Sequence, residues 1–212
     1  VLGMGGSAMG QTGAEKAEFG PSNPFYAKST LPFQAPPFDR IKDTDYQPAL
    51  EAGMAEQLKE IEAIANDPAA PTFENTLVAL EKSGQLYDRA QAAFDAVTGA
   101  DTNPTLQKVQ EIEAPKMAAQ NDAIFLNEKL FERVKTIYNQ TRGDEREKLG
   151  LDAEGLRLVE VYYRMFVHAG AELTPENKAK LKKLNEEEST LRSTFRMKLL
   201  AATKNGAYLT TD

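Results

Sequence analysis

Residues 152–206 read DAEGLRLVEVYYRMFVHAGAELTPENKAKLKKLNEEESTLRSTFRMKLLAATKNG, and this stretch decides the fold class. Asp152 is placed to start a helix whose apolar residues, Leu156, Val159, Tyr163, Phe166 and Val167, recur at three- and four-residue spacing. Ala169-Gly170 ends that helix. Thr174-Pro175 then opens a long one, with Leu181, Leu184, Leu191, Phe195 and Leu199 along one stripe. At 1.5 Å per residue, some 30 residues would span about 45 Å. The short connection predicts an antiparallel helical hairpin. Asn205-Gly206 stops the second helix, and residues 207–212 turn β-like.

Upstream the pattern stays helical. Thr44 or Asp43 can cap a helix from about Asp45, with Leu50, Met54, Leu58, Ile61 and Ile64/Ala65 on one face and Asn66-Asp67-Pro68 as its stop. Thr72 caps a second helix carrying Phe73, Leu77 and Leu80, closed by Ser83-Gly84. Leu86, Ala90, Ala93/Phe94 and Val97 form a third stripe, ending at Gly99. Asn103-Pro104 reads as a cap followed by proline at the first helical position, and Pro115 is expected to kink or split that helix. Asn127 begins another, with Leu130, Phe131, Val134, Ile137 and Tyr138 facing inward, and Arg142-Gly143 closes it. No alternating strand pattern and no repeat period stand out elsewhere. The expected fold class is all-α.

Ahead of the helices lies a different texture. Pro21, Pro24, Pro32, Pro36, Pro37 and Pro48 make up more than half of the chain's 11 prolines. Phe25, Tyr26, Phe33, Phe38 and Tyr46 sit among them. Proline opposes helix and central strand, while a solvated linker has little use for aromatics. Residues 21–44 are therefore expected to form an extended strap pinned by Phe25, Phe33 and Phe38. A Pro-rich ligand for another protein is the rival reading, but no basic residue flanks a clear P-x-x-P repeat. Residues 1–20 begin with VLGMGGSAMGQTGA, small and uncharged, which reads as a Gly-rich disordered arm or as the tail of a secretory leader with a small-residue site at Gly6-Ser7-Ala8. The second reading implies a periplasmic protein, the first a cytoplasmic one. Gly3, Gly5 and Gly6 are no phosphate loop, since no Lys-Ser/Thr follows. Residues 45–206 make the helical domain, and 207–212 the start of a β-like segment.

Composition narrows the chemistry. The chain has 212 residues, no Cys, no Trp and one His, with 25 Lys and Arg against 32 Asp and Glu for a net charge of −7. The absence of Cys excludes a thiol nucleophile, a disulfide and any Cys-based metal site. One histidine excludes an H-E-x-x-H zinc pair within these residues. The acidic balance argues against nucleic acid, and no apolar run reaches the roughly 18 residues of a membrane span.

Few residues remain as candidates. His168, at the end of the helix begun by Asp152, is read as a structural histidine beside the turn. Glu186, Glu187 and Glu188 fan about 100° apart around a helix and so cannot converge on one ligand. With Lys182, Lys183 and Arg192 one turn away, they read as a solvated ion-pair face, and only Glu188 falls in line with the leucine stripe. Asp101-Thr102-Asn103 lacks the glycine of a calcium loop and is rejected. Asn139-Gln140-Thr141 is a glycosylation sequon of a kind that chance produces often. No residue is assigned as catalytic, cofactor-binding or metal-ligating.

A resemblance adds what spacing cannot. Asn23-Pro24-Phe25, Ser29-Thr30-Leu31-Pro32, Pro37-Phe38-Asp39, Tyr46-Gln47-Pro48-Ala49, Pro71-Thr72-Phe73-Glu74-Asn75-Thr76 and Ala79-Leu80-Glu81-Lys82-Ser83-Gly84 follow one another in an order that resembles the opening of bacterial peptidyl-dipeptidases, in the thimet oligopeptidase family of zinc metallopeptidases. The likeness resumes at Leu149-Gly150-Leu151-Asp152, Arg157-Leu158-Val159-Glu160-Val161 and Phe166-Val167-His168-Ala169-Gly170-Ala171, and ends at Leu199-Leu200-Ala201-Ala202-Thr203-Lys204. It is weaker between Thr98 and Arg146.

The resemblance implies the N-terminal, non-catalytic portion of a two-lobed helical enzyme that removes C-terminal dipeptides from oligopeptides. These helices would help wall a deep substrate channel, with a catalytic lobe as their partner and zinc held in that lobe. The reading frame is then expected to continue past Asp212 into an H-E-x-x-H helix with a later glutamate ligand, and a leader to precede Val1. The alternatives are an endopeptidase of the same family and a free-standing helical scaffold.

Overall fold

The computed structural model describes residues 18–143 and 146–206. Among them there is no strand, and the fold is all-α. Its spine is α1, Asp43–Ala65, and two cores are strung along it. Near its start, Tyr46, Ala49 and Leu50 pack against Leu86, Ala90 and Phe94 of α3, Gln85–Ala100, and Leu106 and Val109 of α4, Pro104–Phe125. Near its end, Ile61, Ile64 and Ala65 meet Leu80 of the short α2, Ala79–Lys82, with Leu130, Phe131 and Val134 of α5, Glu128–Arg142, and Phe166 of α6, Ala153–Ala169. The segment Phe73–Val78 before α2 is wound as a π-helix and buries Leu77 against Ile137 and Val159.

Caps fix most of these starts. Thr72 Oγ1 accepts from Asn75 N, Asn103 Oδ1 from Thr105 N and Leu106 N, Asn127 Oδ1 from Leu130 N and Asp152 Oδ1 from Gly155 N. Each satisfies an amide that the first turn leaves unpaired. Asn103 also donates from Nδ2 to Asp43 Oδ2 at 2.8 Å, tying the start of α4 to the start of α1. The cap of α1 differs from expectation. The helix begins at Asp43 behind Lys42, and neither Asp43 nor Thr44 caps it. Instead Asp45 Oδ2 accepts from Lys42 N at 2.8 Å.

At Gly53 and Gly84, as at Gly170, the chain passes too close for a side chain. A Cβ on Gly53 would lie 2.6 Å from Tyr87 N, so α1 and α3 touch backbone to backbone there. Gly84, at φ 76°, turns the chain from α2 into α3 beneath Gln57, and its N–H donates to Glu60 Oε2 at 2.7 Å.

The strap is only half pinned. Phe25 is buried against Tyr46, Asn23 Nδ2 donates to Asp45 O, and Arg89 donates through Nε and Nη2 to Phe25 O. Phe33 and Phe38, expected as further pins, are exposed, Phe33 fully at 105%. Residues 32–34 coil into a 3-10 turn with Phe33 at φ 57° and Gln34 at φ 56°, a left-handed path that aims the ring away from the body.

Two further expectations are corrected. Pro115 does not split α4, which runs unbroken from Pro104 to Phe125 because side chains on both sides of the proline are held to α1. And α7, Pro175–Gly206, does not fold back on α6 as a hairpin; it runs antiparallel along α4. Lys178 reaches Glu128 at 3.3 Å, and Asn185 Nδ2 donates to Asp122 Oδ1 at 2.7 Å. The reason lies on α6. Its aromatic face is already covered by α5, with Tyr163 stacked 3.9 Å from Tyr138 and Phe166 on Phe131, so none is left for α7.

The stripe of α7 is reversed as well. Leu184, Leu191, Phe195 and Leu199 face outward, while Leu181 of the same expected stripe is half-buried, and the side turned to α4 carries Asn185, Ser189 and Ser193 together with Met197 and Leu200. Of the arm expected at 1–20 all but residues 18–20, and the β-like segment at 207–212, lie outside the described residues.

Candidate functional site

A cleft of about 790 Å³ lies between α3, α4 and α7. Its floor comes from α4, through Gln107, Gln110, Ala114, Met117, Ala118 and Asn121. Small residues at 114 and 118 keep that floor low. One wall is α3, with Gln91, Asp95 and Thr98; the other is α7, with Asn185, Ser189, Arg192, Ser193 and Arg196. Amides and hydroxyls share the lining with apolar groups such as Met117, Met197 and Leu200, and charges of both signs stand at the rim. Gln91 Nε2 donates to Asp95 Oδ1 at 2.8 Å, while Gln91 Oε1 and Thr102 Oγ1 are buried without a hydrogen-bond partner among the described residues. Chemically the cleft offers acceptors and hydroxyls suited to the N–H and C=O groups of an extended peptide.

What holds the floor in place is a charged cluster on the opposite face of α4. Glu113 is wholly buried, with Oε1 accepting from Gln47 Nε2 at 3.0 Å and from Lys116 Nζ at 2.8 Å. Lys116 also pairs with Glu51 of α1. Burial pushes the Glu113 carboxyl above the usual carboxylate range, against the opposing pull of Lys116. For Lys116 burial acts downward, but its bonds to Glu113 and Glu51 win and raise it. Tyr87, mainly through burial and with Asp95, Asp88 and Glu113 adding to it, is raised to about 12. Asp122, where α4 meets α7, is likewise raised by burial, and the bond from Asn185 opposes that rise.

A second buried charge organises the far end. Arg133 donates to Asp67 O and Ala69 O through Nη1, to Asn75 Oδ1 through Nη2 and to Thr76 Oγ1 through Nε. Its fork clamps the loop after α1 onto the start of the π-helical turn.

Neither Glu113 nor Arg133 was singled out from sequence. The signal was present for Glu113: it falls in step with Leu106, Val109 and Gln120, where an apolar residue is the rule. Arg133 shares a stripe with Leu130, Val134 and Ile137.

The sequence candidates do not converge. His168 is exposed at the end of α6, makes no hydrogen bond to a described residue, and lines a shallow cleft with Arg164, Met165, Phe125 and Asn121. It is thus beside the turn as expected, but not held there. No carboxylate lines that cleft. Glu188 pairs with Arg192 at 2.8 Å on the exposed side of α7. Among the described residues no three His, Cys, Asp or Glu side chains gather into a metal-binding group. The residues here do not fit the zinc that the resemblance implies, and no step is derived through it. Among the described residues, too, no helix is long and apolar enough to cross a membrane.

No protein-family model matches the chain. It is 49% identical over 191 residues to a dipeptidyl carboxypeptidase of Salmonella typhimurium and 46% identical over 190 residues to one of Escherichia coli, in each case over 90% of this chain and 27% of the relative. The chain therefore spans about a quarter of the length of the curated relatives it matches. Through nine-tenths of its own length the chain is thus similar to two bacterial proteins named dipeptidyl carboxypeptidase, in line with the peptidyl-dipeptidase resemblance of its sequence.

Proposed function

We propose that the chain is the N-terminal, non-catalytic portion of a zinc metallopeptidase of the thimet oligopeptidase family that releases C-terminal dipeptides from oligopeptides. The observation that carries this is the 49% identity, sustained over 90% of the chain, to a protein named dipeptidyl carboxypeptidase. In this reading the catalytic residues and the zinc belong to chain that these 212 residues do not include. The amide- and hydroxyl-rich cleft between α3, α4 and α7 is the part of the channel wall that meets the peptide backbone. The small, uncharged stretch from Val1 to Ala14 supports export to the periplasm.

The complete gene product tests the reading. Incubated with unblocked oligopeptides, it should release dipeptides from the C-terminus, visible by mass spectrometry as successive two-residue losses. A chelator should stop the release and zinc restore it. The 212-residue chain alone should release nothing, with or without zinc. Internal cleavage would place the protein with the endopeptidases of the same family, and no cleavage at all would leave a helical scaffold.

A further inference from the structure

α7 carries more apolar surface on its outer side than on the side it buries. Leu184, Leu191, Phe195 and Leu199 are 60%, 61%, 65% and 54% exposed. They follow one another at intervals of seven, four and four residues, which places them within one arc of about 80° on the helix. That arc lies roughly a third of a turn away from Asn185, Ser189 and Ser193, which face α4. No described element covers it. Met197 and Leu200 are half-buried on the cleft side with the small polar residues, yet the four most exposed large apolar residues of the helix share one outer arc, unlike an ordinary surface helix.

The spacing and the flanks say what kind of surface this is. Leucines and a phenylalanine at seven- and four-residue steps are the seam along which one helix receives another. Charges of both signs lie in and beside the stripe, with Glu188 inside the arc and paired to Arg192, and Glu187 and Lys198 at its margin, so the stripe lacks the basic margin that draws a helix onto an anionic lipid surface. The matched relatives supply the occupant's source, because each has about three-quarters of its length outside what this chain spans.

We infer that the outer stripe of α7 is the seat of an apolar helix from the further chain of the complete protein, so that α7 lies between two lobes and is not an outer wall. This rests on the reading of the chain as one portion of a longer peptidase. Phe195 and Leu191 are its centre, and the arriving helix fills the gaps between them with apolar side chains of its own.

Two measurements on the complete gene product test it, with the 212-residue chain as reference. Hydroxyl-radical footprinting should label the peptide containing Phe195 several-fold less in the complete protein than in the chain alone. Leu191→Asp combined with Phe195→Asp should leave the melting midpoint of the dilute 212-residue chain within about 2 °C, since both side chains are mostly exposed and belong to neither core. The same pair should lower the midpoint of the complete protein well beyond that and open the junction to protease. Equal labelling of Phe195 in the two proteins, or equal small shifts in both, overturns the inference. Stripe-dependent dimers of the complete protein would overturn it in favour of a second copy. Dipeptide release is read separately: an active protein with Phe195 still labelled defeats the inference alone. A protein that releases no dipeptides defeats the peptidase reading whatever the footprint shows, and a gene product ending at residue 212 defeats both.

Discussion

Phe25 and Phe33 lie eight residues apart in one proline-rich strap and have opposite fates. Phe25 packs at a tilt on Tyr46 within a core, and Arg89 holds its carbonyl. Phe25→Ala should therefore cost about 3–5 kcal/mol, as for other buried aromatics. Phe33 has its ring in water and its backbone left-handed. Phe33→Gly should be neutral, or stabilise by up to about 1 kcal/mol, because glycine adopts that φ without strain. Urea titration of the two variants checks the contrast.

Lys116 makes a second prediction. It neutralises Glu113, whose folded carboxyl titrates above its unfolded range. A raised carboxyl favours the folded state below the unfolded value and loses that contribution as pH rises through the folded one. Lys116→Met leaves Glu113 and Glu51 facing one another without a cation. The expected loss near pH 7 is about 1–3 kcal/mol, less than for a fully buried pair because the ammonium is partly in water. Near pH 4, with the raised Glu113 carboxyl protonated, the loss should largely vanish. An unfolding free energy equally reduced at both pH values would contradict this assignment.

At the scale of elements, α4 tolerates an internal proline only because its flanks are tied down. Pro115 removes one backbone bond from a helix that stays continuous. Pro115→Ala should raise the melting temperature, by the equivalent of about 1–3 kcal/mol, without altering helix content by circular dichroism. The elements also show what was legible in the sequence. Thr72, Asn103, Asn127 and Asp152 cap the helices they were read to cap, since a cap is a contact over three residues and needs no knowledge of the fold. The buried face of α7 was not legible. Its leucine stripe is the conventional inward face, and only the prior claim of α5 on the aromatics of α6 diverts the helix onto α4. Nor could the strap's order of attachment be read, because Phe25, Phe33 and Phe38 look alike until the turn at residues 32–34 sets their directions. The cleft was out of reach for a like reason: its three walls come from helices up to about 100 residues apart, and no spacing rule links Gln91 to Ser189.

At the scale of the molecule, an uncovered stripe of four large apolar residues should make the isolated chain self-associate. Apolar area left in water costs about 25 cal/mol per Å², which a second copy can relieve. Sedimentation velocity should show a concentration-dependent shift that Leu191→Asp abolishes; a monomer at every concentration would argue that the stripe is too weak a surface to matter. The same helix bears on motion. α7 buries only Lys178 among its own residues, and the bond that fastens it to α4 is that from the Asn185 amide to the Asp122 carboxylate. Little apolar area is lost when it lifts away, so its opening should need far less than global unfolding. In hydrogen–deuterium exchange its amides should trade first, well ahead of those of α5, whose Leu130, Val134 and Ile137 lie in the cores. Alone, the chain would then behave as a stable six-helix body with a peeling seventh, and the step that commits α7 to its place would be the arrival of whatever it was built to carry.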